Sequence, residues 1–224
     1  MQVELFRHGG RRRGAGRKPV GACPREGHDA RPGIDGRCVM HVVLKVRAEV
    51  GRLRKPKLYG AIRRATISAA KGGRIRICHL SIQHDHVHLL VEAESKKRLA
   101  DGMLGFQVSA ARQINNVLGR RGKVFADRYH LVVIGNPTQM RNAIAYVLNN
   151  FRKHGEAEPG WMTDPYASGR AFEGWRERTP ITPGVPTYGA LEVARPRRGC
   201  CGRDGGEQER SARMRRRERA RSGR

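Results

Sequence analysis

The chain has 224 residues and a net charge of +26, from 46 Lys and Arg against 20 Asp and Glu. A positive field of that size favours a nucleic-acid partner, with an anionic membrane surface as a distant alternative. No run of about 18 apolar residues is present, so we expect no membrane-spanning helix. The first residues lack the apolar segment of a secretory signal. The five cysteines form no Cys-x-x-Cys pair, so we expect reduced thiols in a cytoplasmic protein, not a zinc ribbon or a disulfide framework.

Both ends of the chain are rich in arginine and poor in apolar residues. Residues 1–38 include GGRRRGAGRKP and predict a flexible basic arm, which either contacts phosphates or is a solubilising tail. Residues 156–224 end in MRRRERARSGR and predict a poorly ordered, Arg-rich C-terminal extension, because too few apolar residues are available to bury. The folded domain is therefore predicted over residues 39–155.

Between these ends, the spacing of apolar residues predicts alternating strands and helices. Pro56 marks the start of the first helix and Gly119 the end of the second. Asn136 followed by Pro137 is typical of a capped helix start. The predicted strands are 41–46, 74–83, 86–93 and 129–134, and the predicted helices are 53–70, 97–118 and 137–153.

The element order is β-α-β-β-α-β followed by one more helix, with a tight turn between the second and third strands. This order predicts an α+β, ferredoxin-like fold: an antiparallel sheet with two crossover helices on one face. The added C-terminal helix, which carries a tyrosine, or a ligand would occupy the other face. A fold alone does not give function, so the site residues have to supply it.

Histidines 84, 86 and 88 alternate in the stretch HLSIQHDHVHLLVEA (79–93). Residues two apart on a strand point to the same side of the sheet, so His86 and His88 are close enough to bind one divalent cation. Val87 between them points to the opposite side and anchors the strand in the core. His84 lies close to the turn, and we expect a supporting or structural role for it.

The last predicted helix carries a second pair of chemically active residues. Tyr146 and Asn150 are four apart and share a face, which is offset from the apolar stripe of Met140, Ile144, Val147 and Phe151. A tyrosine phenol becomes a nucleophile when it loses its proton. Asn150 offers an oxygen to the cation that the histidine pair would bind. The alternatives are a packing role for Tyr146 and a surface or capping role for Asn150.

Three stretches in this order, HDHVHLLVEA, GRRGKVFADRYH and RNAIAYVLNNFRKHG, resemble single-tyrosine HUH transposases of small insertion sequences, and among these the REP-associated tyrosine transposases. The HUH motif is His, a bulky apolar residue, His, which His86-Val87-His88 matches. The nucleophile of that family lies in a Tyr-x-x-x-Gln or Tyr-x-x-x-Asn motif, which Tyr146 and Asn150 match. The resemblance covers residues 38–155.

The resemblance implies a mechanism. Mg²⁺ or Mn²⁺ held by His86, His88 and Asn150 would polarise a scissile phosphate of single-stranded DNA, and Tyr146 would attack it. The products would be a 5′-phosphotyrosine link and a free 3′-hydroxyl, so strands could be cleaved and rejoined without a nucleotide cofactor. The implied partner is single-stranded or hairpin DNA in a bacterial nucleoid, with no membrane. Monomeric and homodimeric arrangements both stay open.

Several basic residues are candidates for DNA contact. The turn GRRGK supplies Arg120, Arg121 and Lys123, which suit phosphates. Arg112 on the preceding helix and Arg128 before the last strand could extend this track. Phe125 and Tyr129 are candidates for stacking on bases, with core packing as the alternative for Phe125. Tyr129 is also a rival nucleophile, but it lacks a ligand-type residue four positions later.

Two other functions compete with DNA strand transfer. A histidine-triad nucleotide hydrolase carries a motif close to HDHVHLL, but Asp85 breaks that pattern and the large positive charge suits a mononucleotide substrate poorly. A catalytically inactive, domesticated protein could keep the fold and bind hairpin DNA. Replacement of Tyr146 by Phe separates the enzyme from the binding protein, because only the enzyme needs the phenol.

Overall fold

The computed structural model describes residues 33–34, 39–172, 174, 188–189, 191 and 193–195. Most of the predicted N-terminal arm and of the predicted C-terminal extension therefore lies outside the described residues. In the described part, no helix is long and apolar enough to cross a membrane. The main elements are β1 (Val39–Lys45), α1 (Pro56–Gly72), β2 (Arg76–Ile82), β3 (His86–Glu92), α2 (Lys96–Leu118), β4 (His130–Ile134) and α3 (Pro137–Lys153), with short 3₁₀ turns at Ala48–Val50 and Ser168–Ala171.

The four strands form one antiparallel sheet in the order β2-β3-β1-β4. The two central strands, β1 and β3, come from different β-α-β halves of the chain, which is the split arrangement expected of a ferredoxin-like fold. The predicted α+β fold class is therefore confirmed. A third helix is present at the position that the sequence predicted.

Local signals in the sequence account for where the helices begin and end. The side chain of Ser95 accepts a hydrogen bond from the backbone N–H of Arg98 at 3.2 Å at the start of α2, and Asn136 caps α3 through the N–H of Gln139 at 2.8 Å. Both caps satisfy N–H groups that have no partner inside the helix. Gly119 ends α2 at φ 60°, a left-handed conformation that favours glycine.

The main hydrophobic core lies between one face of the sheet and helices α1 and α2. Alternate strand residues enter it, among them Met40, Val42 and Leu44 of β1 and Val87, Leu89 and Val91 of β3. Each fully buried side chain of this kind contributes about 1.5–3 kcal/mol relative to an exposed one. This packing fixes which face of the sheet is left for polar residues.

A smaller core attaches α3 to the opposite face of the sheet. Val147 of α3 packs with Val39, Leu90 and Ile134 of three different strands, and Met140, Ala143 and Ile144 are partly buried against them. The helix therefore lies on the sheet face that carries His86 and His88. Its position depends on an apolar stripe that recurs at helical spacing.

Part of the predicted extension packs against the domain. Arg54, before α1, forms two hydrogen bonds of 2.9 Å with the carboxylate of Asp164, and their side chains are 2% and 0% exposed. The guanidinium also donates to the carbonyl of Ile82 at 2.8 Å and lies 4.5 Å from the ring centroid of Tyr166. A buried charge needs such partners, so this pair holds residues 164–168 against the end of β2.

This packing bears on the predicted domain boundary. The boundary at residue 155 stays a prediction, but described residues beyond it do not follow the expectation of poor order. Glu156 pairs with Arg52 and, at 3.4 Å, with Arg54, and Ser168 accepts a hydrogen bond of 3.0 Å from the backbone N–H of Leu80. Polar anchors and aromatic side chains supply the packing that apolar content alone did not predict.

We expect Asp164→Asn to destabilise the full-length protein by about 1.5–3 kcal/mol, because it removes the two charge-assisted hydrogen bonds of Arg54 and leaves Glu156, 3.4 Å away, to balance that buried charge. The matched control is Asp101→Asn, which removes an exposed pair with Lys97 and should change stability much less, because solvent screens that pair. Urea denaturation measures both. Equal effects of the two substitutions would contradict the assigned role of the buried pair.

Candidate active site

Strand register brings the polar residues of three strands to one face of the sheet. His88 of β3 lies opposite Val43 of β1 and Ser81 of β2, and His41 of β1 lies opposite Leu90. Directly opposite residues of an antiparallel pair point to the same face. Helix α3 lies on this face, so its side chains meet the histidines.

Two imidazoles converge at the centre of the site. The Nε2 atoms of His86 and His88 are 3.0 Å apart, and their rings meet edge to face with centroids 4.7 Å apart. Two nitrogen ligands at right angles on one cation, each about 2.1 Å from it, would also be about 3 Å apart. The predicted pair is therefore brought together at a spacing that suits a shared cation.

Asp85 fixes the orientation of His86. Its Oδ1 lies 2.6 Å from Nδ1 of His86, which donates to it. Burial works to raise the pKa of Asp85, but the hydrogen bond and charge of His86 and the charge of Lys45 lower it below its usual value. Because the carboxylate accepts a hydrogen bond from Nδ1–H, Nε2 of a neutral His86 presents its lone pair to His88.

His88 is a buried, neutral imidazole. Burial, followed by the charges of His86 and His41, lowers the pKa of His88 to about 3. Its Nε2 faces both His86 and Asn150, and its Nδ1 lies 3.0 Å from Nε2 of His41. A neutral ring with one nitrogen aimed at a partner ligand is the form in which histidine binds metals.

Asn150 completes the set of donors that the sequence predicted. Its Nδ2 lies 2.7 Å from Nε2 of His88, and its Oδ1 is buried without a hydrogen-bond partner. A buried unpaired oxygen is costly. Half a rotation of the amide exchanges its two atoms and places an acceptor oxygen beside the histidine nitrogens, where a cation would satisfy all three groups.

The donor set fits a divalent cation that accepts nitrogen and oxygen ligands. Two imidazole nitrogens and an amide oxygen suit Mn²⁺ as well as Mg²⁺. No group of three His, Cys, Asp or Glu side chains in the described part of the chain could hold a metal ion. A cation at this site would therefore depend on the amide as its third protein ligand.

Tyr146 lies beside the histidine pair and remains accessible. Its ring centroid is 5.4 Å from that of His88 and 5.8 Å from that of His41, edge to face in both cases. Its side chain is 39% exposed, and Nζ of Lys153, two turns later on α3, is 5.4 Å from the ring centroid. A substrate could thus reach the phenol from solvent, next to a positive charge.

The predicted basic turn lies at one end of the sheet. It holds Arg120, Arg121 and Lys123, and the chain beyond it returns to β1, where Ala126 donates from its backbone N–H to the carbonyl of Lys45 at 2.9 Å. Arg121 and Lys123 are exposed, whereas Arg120 donates to the carbonyl of Lys123 at 3.2 Å. Two of the three side chains are therefore free to meet solvent-borne phosphates at this end.

The other two predicted basic residues occupy different places. Arg128 is half-buried just before β4, at the same end of the sheet as the turn. Arg112 is exposed on α2 and lines a cavity of about 580 Å³ between α1 and α2. Since α1 and α2 cover the opposite face of the sheet from α3, the structure does not bring Arg112 together with Tyr146.

The sequence left the roles of three further residues undecided, and the structure shows where each of them lies. His84 precedes β3, is exposed, and lies 3.8 Å from Glu156, away from the histidine pair. Tyr129 is 8% exposed and packs in the main core, which removes it as an accessible nucleophile or stacking platform. Phe125 packs partly buried against the same core.

Sequence reasoning missed other neighbours of the histidine pair. His41 lies against His88, and the ring of His154 lies 5.2 Å from that of His86. His41 was visible as a histidine in an apolar strand, but its role requires the register between β1 and β3. Lys153 and His154 follow Asn150 in the basic end of α3, where an exposed face was the simpler interpretation.

Comparisons with known proteins identify the family of the chain and support its fold. The model of the IS200-like transposase family matches residues 36–150, so the chain belongs to the IS200-like transposases, as its sequence motifs predicted. A solved REP-associated tyrosine transposase bound to a REP hairpin is 17% identical, covers 76% of this chain and 98% of its own, and has a TM-score of 0.53. That likeness supports the fold.

Two further comparisons add little. A protein of Deinococcus radiodurans R1 assigned as a transposase is 13% identical over 60% of this chain and 99% of its own. Its TM-score of 0.38 is too low to support an argument. No curated protein matches the chain.

The buried imidazoles predict acid sensitivity. Burial lowers the pKa of His41 and of His79 to about 4, and that of His88 to about 3. Unfolding lets these rings bind protons near their usual pKa of about 6.5. The free energy of unfolding should therefore fall between pH 6.5 and 5, by up to about 1.4 kcal/mol per pH unit for each ring.

Urea denaturation at several pH values tests this slope. The variant His79→Asn keeps a polar group near Ser168 and lies outside the candidate site. It should remove the contribution of one ring from the pH dependence of the free energy of unfolding. A free energy of unfolding that does not change between pH 7 and 5 would contradict the buried, neutral state of these rings.

Proposed function

We propose that this chain is a single-tyrosine DNA strand transferase, in which Tyr146 attacks a scissile phosphate beside a cation held by His86, His88 and Asn150. The observation that carries the proposal is the convergence of these four side chains from β3 and α3. Two Nε2 atoms 3.0 Å apart, an unpaired buried amide oxygen and an exposed phenol occupy one place. The family to which the chain belongs supports the same activity.

The lone pairs of the two histidines provide the support for a cation. Asp85 accepts a hydrogen bond from the Nδ1–H of His86, which leaves the Nε2 lone pair of a neutral ring facing Nε2 of His88. If His88 is protonated on Nδ1, its Nε2 lone pair faces that of His86, and a cation between the two nitrogens, with Asn150 turned to present Oδ1, would relieve the repulsion. Mg²⁺ or Mn²⁺ in that place would withdraw charge from the non-bridging oxygens of a phosphate.

Tyr146 carries out the covalent step. Its phenolic oxygen forms a bond to phosphorus, and the bond between phosphorus and the 3′ oxygen breaks. The phenol loses one proton and the 3′ oxygen gains one, so protons and ester bonds are conserved. The result is a 5′-phosphotyrosine link from which another 3′-hydroxyl can recover a phosphodiester. Lys153, whose Nζ lies 5.4 Å from the ring centroid of Tyr146, places a positive charge where the phosphate has to approach.

The proposed substrate is single-stranded DNA with a hairpin. The net charge of +26 favours a polyanion, and the solved relative with a similar fold is bound to a REP hairpin. Exposure of Tyr146 suits a strand that can bring its backbone to the phenol. Cytoplasmic location in a bacterial nucleoid, and a homodimer as one of two arrangements, stay predictions.

Covalent trapping tests the proposal. The full-length protein is incubated with labelled hairpin oligonucleotides from the flanks of its own gene, with Mn²⁺ or with EDTA, and separated on a denaturing gel. We expect a Mn²⁺-dependent shifted band that Tyr146→Phe abolishes, because the nucleophile is lost while the fold is kept. Tyr129→Phe is the matched control and should keep the band.

Each contrary result has a distinct meaning. Salt-sensitive binding with no covalent band on any flank would favour the inactive, hairpin-binding alternative. A band that persists in Tyr146→Phe would contradict the assigned nucleophile.

The basic turn gives a separate prediction. We propose that Arg121 and Lys123 contact DNA phosphates, since both are exposed at the end of the sheet where β3 begins. Replacing both by Glu should weaken hairpin binding at least tenfold at low salt and reduce the dependence of affinity on salt by about two counterions. Arg112→Glu, on the far helix layer, should have a smaller effect in the same fluorescence anisotropy titration. An equal loss of hairpin affinity in Arg112→Glu would indicate that the DNA also contacts the layer formed by α1 and α2.

A further inference from the structure

His41 makes two contacts that the proposed mechanism has not yet used. It enters the site from β1, the strand next to β3, and its ring lies nearly parallel to that of His88, with centroids 5.1 Å apart and planes 19° apart. Its Nε2 lies 3.0 Å from Nδ1 of His88. The ring of His41 also contacts that of Tyr146 edge to face, with centroids 5.8 Å apart.

The two nitrogens of His88 cannot be treated independently. A neutral imidazole carries one proton, so a proton on Nδ1 leaves a lone pair on Nε2, and the reverse also holds. The Nε2 atom faces His86 and Asn150. Only the tautomer with its proton on Nδ1 can offer Nε2 to a cation, and that proton then needs an acceptor.

We propose that His41 is the positioning residue for His88. Its Nε2 accepts the hydrogen bond from the Nδ1–H of His88, which selects the tautomer whose Nε2 lone pair faces the cation site. Because the two ring planes are only 19° apart, this hydrogen bond lies close to both planes and also fixes the orientation of the His88 ring. This inference rests on the proposed function, since it assigns a supporting residue to the same site.

The comparison with His86 explains why an imidazole suits this place. His86 is oriented by the carboxylate of Asp85, which also pairs with Lys45 at 3.6 Å near the outside of the site. Orienting groups of this kind commonly affect metal affinity by about 10–100-fold. A second carboxylate in place of His41 would put negative charge next to Tyr146, where a phosphate has to approach. A neutral acceptor orients His88 without that repulsion.

The test compares His41→Leu with His41→Gln in the full-length protein. Leu removes the acceptor, whereas the amide oxygen of Gln reaches about as far as Nε2 and can replace it. The matched control is His130→Gln, which changes an exposed histidine on β4, the strand paired with β1 on its other side. Two readouts are made without DNA: the tautomer of His88 by long-range ¹⁵N–¹H NMR of the metal-free protein, and Mn²⁺ affinity by calorimetry.

We expect the wild type, His41→Gln and His130→Gln to hold the Nδ1 proton on His88. His41→Leu should shift His88 toward the Nε2-protonated form and weaken Mn²⁺ binding by about 10–100-fold. Rescue by Gln separates positioning from simple loss of packing, because Gln keeps the acceptor but not the ring.

Two results would overturn the role of His41. One is a wild-type His88 that carries its proton on Nε2, and the other is a His41→Leu variant that matches the wild type in both readouts. A wild type that binds no Mn²⁺ would overturn the proposed function, and with it the link between His41 and a cation. Because wild-type binding is measured separately, failure of the site and failure of this inference can be told apart.

Discussion

The candidate site depends on the register between β1 and β3. Val43 opposite His88 places His41, His86 and His88 on one face of the sheet and sends Val87, Leu89 and Val91 to the main core. A slip of one residue would reverse every side chain of the strand, burying imidazoles among apolar groups. Such a slip would cost free energy, because apolar side chains would leave the core. The packing of β3 against α1 and α2 therefore also determines which way the histidines point.

The second constraint is the placement of α3. Val147 and its neighbours hold the helix on the histidine face, and this brings Asn150 within 2.7 Å of His88 and Tyr146 to its edge. The buried pair of Arg54 and Asp164 secures the chain that follows α3. Hydrophobic packing thus positions the helix, and a desolvated ion pair holds the segment around Asp164 against the domain.

Local patterns were sufficient to predict most of the fold. Apolar periodicity and the Asn136-Pro137 start predicted the observed bounds of α3. Strand alternation predicted that His86 and His88 share a face of the sheet. His41 could not be assigned, because its contact with His88 spans 47 residues and depends on strand pairing. Asp164 was equally hidden, since a short polar and glycine-containing segment resembles a loop until its buried partner is known. The placement of Arg112 required knowing which sheet face its helix covers.

The most direct measurement is peptide mapping of the covalent product by mass spectrometry. Trypsin cleavage after Arg141 and Arg152 releases a peptide, residues 142–152, in which Tyr146 is the single tyrosine. After reaction with a hairpin oligonucleotide and nuclease trimming, we expect a nucleotide attached to this peptide through its 5′ phosphate, only when a divalent cation was present. An adduct on a peptide containing Tyr129 or another residue, with residues 142–152 unmodified, would contradict the central role of Tyr146.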